Sequence, residues 1–179
     1  MAEQKYITTQ KFGPSGGFSI YTGNLCDDEF ERSARTKNFL NNLLDTSQYE
    51  LPDLLCLQEA PLCVAENLAG IYKTVVYEDQ AYKNNLLDSG LILASRLALA
   101  SYESVCFNRG ANITQVSKVA LIGNEIDVFN LHTLSGTKNR LRLGVIKDFF
   151  EYAKKIKEID SVVIAGDFNS LENKNSRNS

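Results

Sequence analysis

The segment Ser161-Val-Val-Ile-Ala-Gly-Asp-Phe-Asn-Ser170 constrains this chain more than any other. Val162 to Ala165 are consecutive apolar residues, and all but Ala165 are β-branched, which suits a strand buried on both faces. The run then breaks at Gly166 into Asp167, Phe168 and Asn169. In an extended backbone, Asp167 and Asn169 share one side of the strand, because side chains alternate with period two. A carboxylate and a carboxamide then project together from a rigid strand end. A buried strand closed by an Asp/Asn turn accounts for the same residues. What the other strands deliver decides between the two.

The pattern along the chain predicts strands and helices intermixed. Residues 1–17 are polar and close with Gly13-Pro14-Ser15-Gly16-Gly17, a flexible or turn-forming lead-in. Phe18 to Thr22 alternates as a strand running to Gly23-Asn24. Glu29 to Leu44 carries Phe30, Ala34, Phe39, Leu40, Leu43 and Leu44 at helical spacing, with Asp27 or Asp28 as cap. Leu54 to Leu57 reads as a short strand delivering Gln58 and Glu59, stopped by Ala60-Pro61. A short helix over Cys63–Ala69 follows, then strands at Tyr72–Tyr77, Ser89–Ala94 and Leu97–Phe107, with a loop over Asp79–Asp88. Arg109-Gly110-Ala111 is a turn, and Gly123-Asn124 marks a hairpin between Val116–Ile122 and Glu125–His132. After a loop over Ser135–Asn139, Arg140–Ile159 forms an amphipathic helix with a basic outer face. The tail, 171–179, is polar throughout. This mixture implies packed mixed sheets covered by helices.

Composition narrows the class without naming it. A chain of 179 residues, 44% hydrophobic and 23% charged, holds one domain with a sizeable core. A net charge of −3 gives no general attraction to polyanions, so nucleic acid would need a local basic patch. Cys26, Cys56, Cys63 and Cys106 show no Cys-x-x-Cys spacing, and Cys56 lies in an apolar run as a buried thiol. Reduced cysteines and an N-terminus without an apolar signal core favour a cytoplasmic setting. No apolar segment approaches the length needed to span a bilayer.

Polar residues then recur at the carboxyl ends of apolar strands: Asn24, Glu59, His132, and Asp167 with Asn169. Singly, Asn24 suits a turn, Glu59 a solvated strand end, and the lone His132 a structural role. Their joint placement is not accounted for by loop polarity.

Thr22-Gly-Asn24, Asp53-Leu-Leu-Cys-Leu-Gln-Glu59, Ser89-Gly-Leu-Ile-Leu-Ala-Ser-Arg96, Val128-Phe-Asn-Leu-His132 with Arg140 beyond, and Gly166-Asp-Phe-Asn169 stand in an order that resembles the endonuclease/exonuclease/phosphatase superfamily. The resemblance covers residues 18–170. It implies an α+β fold, a four-layer αββα sandwich of two mixed β-sheets flanked by helices, and a hydrolase of phosphate esters that uses magnesium, with manganese as the alternative ion. In this resemblance Glu59 is the metal ligand and Asn24 assists it. Asp167 orients or deprotonates the attacking water, Asn169 donates to a phosphate oxygen, and His132 stabilises the phosphate or the leaving group. The chemistry is consistent: magnesium takes one or two carboxylates and otherwise keeps water, and metal plus neutral donors offset charge on phosphoryl oxygens. The sequence holds neither a nucleophile motif nor a Gly-x-x-x-x-Gly-Lys loop.

The family's domains continue past Gly-Asp-Phe-Asn and close with a Ser-Asp-His motif that this sequence lacks. The expectation is therefore an incomplete domain without its C-terminal strands, weakened in general acid–base chemistry. An exposed sheet edge would then invite a protein partner. Two readings follow: a nuclease-like or sphingomyelinase-like phosphodiesterase, or the N-terminal part of one; and a non-catalytic binding module or fragment keeping the fold. The substrate is a phosphate ester, of nucleic acid or of a lipid or inositol phosphate. Arg142, Lys147, Lys154, Lys155 and Lys157 suit a phosphate backbone, or simply a solvated helix face.

Overall fold

In β2 (Leu54–Ala60), Leu54 and Cys56 face one way and Leu55 and Leu57 the other, and all four are fully buried. A strand apolar on both sides needs a covering layer on each. The computed structural model of the chain supplies them, and it describes residues 18–25, 29–45, 50–79, 90–107, 112–121, 124–133, 139–155 and 162–168.

Two four-stranded sheets stack face to face. The first joins β1 (Ile20–Asn24), β2, β3 (Thr74–Asp79) and β4 (Gly90–Ser95) in the order β1-β2-β4-β3. The second runs β5 (Leu99–Phe107), β6 (Asn112–Leu121), β7 (Asn124–His132) and β8 (Val162–Asp167) in sequence order. Both are mixed. β1 pairs β2 in parallel across the crossover helix α1 (Glu29–Leu44), and β7 pairs β8 in parallel across α3 (Asn139–Lys155); the remaining pairs are antiparallel.

Alternation assigns each side chain its layer. Phe18, Ile20, Leu54, Cys56 and Leu93 meet Val128 and Ala165 between the sheets. On the outer face of the first sheet, Leu55, Leu57, Ile92 and Ala94 pack under Val64, Ala65 and Leu68 of α2 (Leu62–Leu68) and Phe39, Leu40 and Leu43 of α1. On the outer face of the second, Phe129 and Leu131 receive Val145 and Phe149 of α3, the two phenyl rings meeting edge to face at 5.1 Å and 85°. Each such side chain contributes about 1.5–3 kcal/mol by leaving water. The result is the α+β, four-layer αββα sandwich that the resemblance implies. At the opposite end of β2, Asp53 ties the strands together: its Oδ2 accepts from Ser19 N at 2.9 Å and Ser19 Oγ at 3.1 Å.

Two expectations change. β8 is not buried on both faces: Val163 and Ala165 enter the intersheet core, but Val162 and Ile164 are substantially exposed. β8 is the last strand in the order of its sheet, and the buried cluster under α3 is built on Phe129 and Leu131 of β7. The buried stripe of α3 is also narrower than its apolar content, since Leu143 and Phe150, seven residues apart, face solvent. The hairpin stands, with Leu121 opposite Asn124. The turn at Arg109–Ala111, the bulk of the Asp79–Asp88 loop, the lead-in 1–17 and the tail 171–179 lie outside the described residues. Among the described residues, no helix is long and apolar enough to cross a membrane.

Cys56 makes the intersheet layer testable. Burial pushes its thiol up from 9.0 to about 12, whereas Cys63 is exposed. Native protein should therefore label at Cys63 and not at Cys56 when both are read by mass spectrometry. Because the folded state keeps a proton that the unfolded state releases, Cys56 contributes stability below about pH 9 that is lost as pH rises towards 12. Urea titrations between pH 9 and 10 should show this slope, and Cys56→Ala should remove it.

Candidate functional site

Parallel pairing sets the carboxyl ends of β1 and β2 side by side, and likewise those of β7 and β8. Asn24 stands opposite Gln58, and His132 opposite Asp167. Side-chain contacts across the sheets then bring all four ends to one rim. Asn24 Nδ2 donates to Asp167 Oδ2 at 2.8 Å, joining β1 to β8. Glu59 Oε1 lies 3.2 Å from His132 Nε2, an ion pair when the imidazole is protonated. Their side chains are only 14% and 7% exposed, so solvent screens this pair far less than a surface one.

The sequence expectation places Glu59 beyond its strand, but the structure runs β2 through it to Ala60. Strict alternation would send Glu59 after Leu55 and Leu57 into the apolar layer beneath α1 and α2. A β-bulge prevents this. Leu57 pairs Ile92 but Ala60 pairs Gly90, so β2 holds one extra residue. Within the bulge Glu59 has φ +50°, alone among described non-glycine residues in being positive. This conformation costs about 1–3 kcal/mol and persists only where surroundings over-determine it. It turns the carboxylate to His132 and returns Ala60 to the core.

A glycine holds the other half of the rim. Gly166 has φ +143°, and a Cβ there would lie 1.8 Å from the carbonyl oxygen of Leu131. Only glycine lets β8 approach β7 closely enough to set Asp167 opposite His132. Thr133 N donates to Asp167 O at 3.0 Å and extends the pairing one step further.

Below the rim runs a polar bridge. Gln58 and Asn130 are fully buried between the sheets. Gln58 Nε2 donates to Asn130 Oδ1 at 2.6 Å, to Cys56 O at 3.1 Å and to Thr22 Oγ1 at 3.3 Å. The strand-end motifs contain both residues without marking a role for either. The available signal was their position: each follows the intersheet register of its strand, Leu54–Cys56–Gln58 and Ile126–Val128–Asn130.

Of the residues expected at the site, the structure brings together Asn24 with Asp167 and Glu59 with His132; Asn169 lies outside the described residues. Among the described residues, no group of three or more His, Cys, Asp or Glu side chains stands at metal-binding spacing. The donors at the rim nonetheless suit a hard divalent cation, which takes oxygen ligands and needs as little as one carboxylate from protein.

The sequence matches neither a protein-family model nor a curated protein. The structure is similar to several solved ones. TDP2 from C. elegans aligns with a TM-score of 0.69 and 19% identity, over 86% of this chain and 48% of that one. D. rerio TDP2 complexed with single strand DNA product aligns at 0.64 and 19%, over 87% and 62%. ANGEL2, a 2′,3′-cyclic phosphatase in complex with adenosine-2′,3′-vanadate, aligns at 0.69 and 18%, over 94% and 58%. The chain therefore spans about half of the first of these structures and less than two thirds of the others. With its two mixed sheets, outer helices and the order of its strand-end motifs, it has the endonuclease/exonuclease/phosphatase fold.

Proposed function

We propose that the rim is the cation- and phosphate-binding part of a divalent-metal-dependent phosphoesterase site. The observation that carries this reading is the convergence of two polar pairs, Glu59–His132 and Asn24–Asp167, from four strand ends in two sheets. Glu59 is the cation anchor, through the carboxylate oxygen not turned to His132. Asn24, whose nitrogen is committed to Asp167, would offer Oδ1 to the same ion. A bound magnesium or manganese supplies a Lewis acid that offsets charge on the phosphoryl oxygens. Asp167, held by Asn24 and the Thr133–Asp167 backbone bond, orients or takes a proton from the attacking water. His132 is assigned the phosphate or the leaving group, and Asn169 a phosphate oxygen.

The substrate is a phosphate ester; the single strand DNA product of D. rerio TDP2 and the adenosine-2′,3′-vanadate of ANGEL2 support nucleic acid, with a lipid or inositol phosphate as the alternative. A second reading, a phosphate-binding module without turnover, draws on His132 being the only histidine in the sequence and already engaged with Glu59. Magnesium-dependent hydrolysis of plasmid DNA and of bis-(p-nitrophenyl) phosphate separates the two. Turnover supports the enzyme; cation binding with no turnover in folded protein supports the module. Asn24→Ala removes a charge-assisted hydrogen bond worth about 1.5–3 kcal/mol, so it should lower turnover about tenfold or more and leave the fold intact by circular dichroism.

A further inference from the structure

The buried Asn130 side chain sits where the β2–β4 ladder loses register. Leu57↔Ile92 is the last regular pair before the bulge. Asn130 Nδ2, arriving from the opposite sheet, donates to the carbonyl oxygens of both its members, Leu57 O at 3.2 Å and Ile92 O at 3.1 Å. Gln58 Nε2 donates to Asn130 Oδ1 at 2.6 Å and so sets which way that amide faces. The next residue along β2 is Glu59 at φ +50°. On β7, Asn130 precedes His132 by two residues and shares its face. One side chain therefore clamps the strand that carries Glu59 to the strand that carries His132.

We propose that Asn130 is a positioning residue that holds the β2 bulge and, through it, the approach of Glu59 to His132. A slip of Leu54–Leu57 against β4 that absorbed the extra residue would separate Leu57 O from Ile92 O, so Asn130 could not keep both bonds. A fully buried amide is costly to leave unpaired, so the bridge opposes that slip. The left-handed backbone of Glu59 is thereby over-determined by groups below the rim. The prediction for cation affinity rests on Glu59 being the cation anchor; the prediction for His132 does not.

His132 is the only histidine, so its imidazole NMR signals identify themselves. Glu59→Gln, at fixed pH, marks how those signals move when the carboxylate is lost. Asn130→Ala should move them the same way and weaken Mn2+ binding, read by electron paramagnetic resonance, at least about tenfold. Val128→Ala, a buried intersheet change two residues earlier on the same face, should lower stability and leave both readouts in place. Wild-type signals and Mn2+ affinity in folded Asn130→Ala would overturn the proposal, as would an equal response in Val128→Ala. If Asn130→Ala does not fold, Gln58→Met, which removes the bond orienting the amide, is read the same way: shifted His132 signals support the proposal and unshifted ones overturn it. A wild-type protein that binds no Mn2+ overturns the cation reading of Glu59, while the His132 signals still decide the role of Asn130.

Discussion

Glu59→Gln is expected to abolish cation binding and to lower magnesium-dependent phosphodiester hydrolysis by about 10³-fold, equivalent to about 4 kcal/mol of transition-state stabilisation. The substitution keeps the side chain's volume and removes its charge, so the fold should persist and the melting temperature should move little. The reason for so large an effect is the poverty of the site in alternatives. Among the described residues no cluster of three acidic or metal-ligating groups exists to take over. Asp167, the other rim carboxylate, is engaged by Asn24. Glu59→Gly sharpens the argument. Glycine relieves the cost of φ +50°, so this variant should be as stable as wild type or more stable by about 1 kcal/mol, yet inactive. A residue that opposes stability where it stands is held there by what its side chain does. Turnover that survives Glu59→Gln would remove Glu59 from the cation site.

Gly166→Ala is expected to cost at least about 3 kcal/mol in urea unfolding and to abolish activity with it. The added methyl would lie 1.8 Å from the Leu131 carbonyl oxygen, a backbone atom that no side-chain rotation can clear. The φ of +143° is one that L residues rarely adopt, so the backbone is strained as well. Relief requires β8 to move away from β7, and that displaces Asp167 from its place opposite His132 and from Asn24. Gly166→Ala should therefore lower cation affinity per folded molecule as well as stability. A Gly166→Ala protein with wild-type stability would contradict the close approach of β8 to β7.

Much of the fold was legible because two periodicities run undisturbed through the sequence. The helical spacing over Glu29–Leu44 marks α1 to its observed ends, and the alternation in Val128-Phe-Asn-Leu-His132 sends Val128 between the sheets and Phe129 under α3. The strand-end residues were legible for the same reason, since a polar residue after an apolar run is conspicuous. The bulge at Glu59 was not. Counting by twos puts Glu59 with Leu55 and Leu57, and only the opposing strand, with Ala60 against Gly90, reveals the extra residue. β8 differs in another way: Val162 to Ala165 reads as doubly buried, but burial depends on neighbours, and at the end of the sheet order Val162 and Ile164 stay partly exposed. Asn130 sits inside its apolar strand and Gln58 stands beside the charged Glu59, so the sequence singles out neither. Polar residues at intersheet positions inside apolar strands are costly without partners, and here that cost marks the bridge beneath the rim.

Crystals soaked in Mn2+ and measured at the manganese absorption edge test the central claim most directly. An anomalous peak within about 2.0–2.3 Å of a Glu59 carboxylate oxygen, absent in Glu59→Gln, is the predicted result. A peak bound elsewhere, or none while the 3.2 Å Glu59–His132 contact persists unchanged, would contradict it.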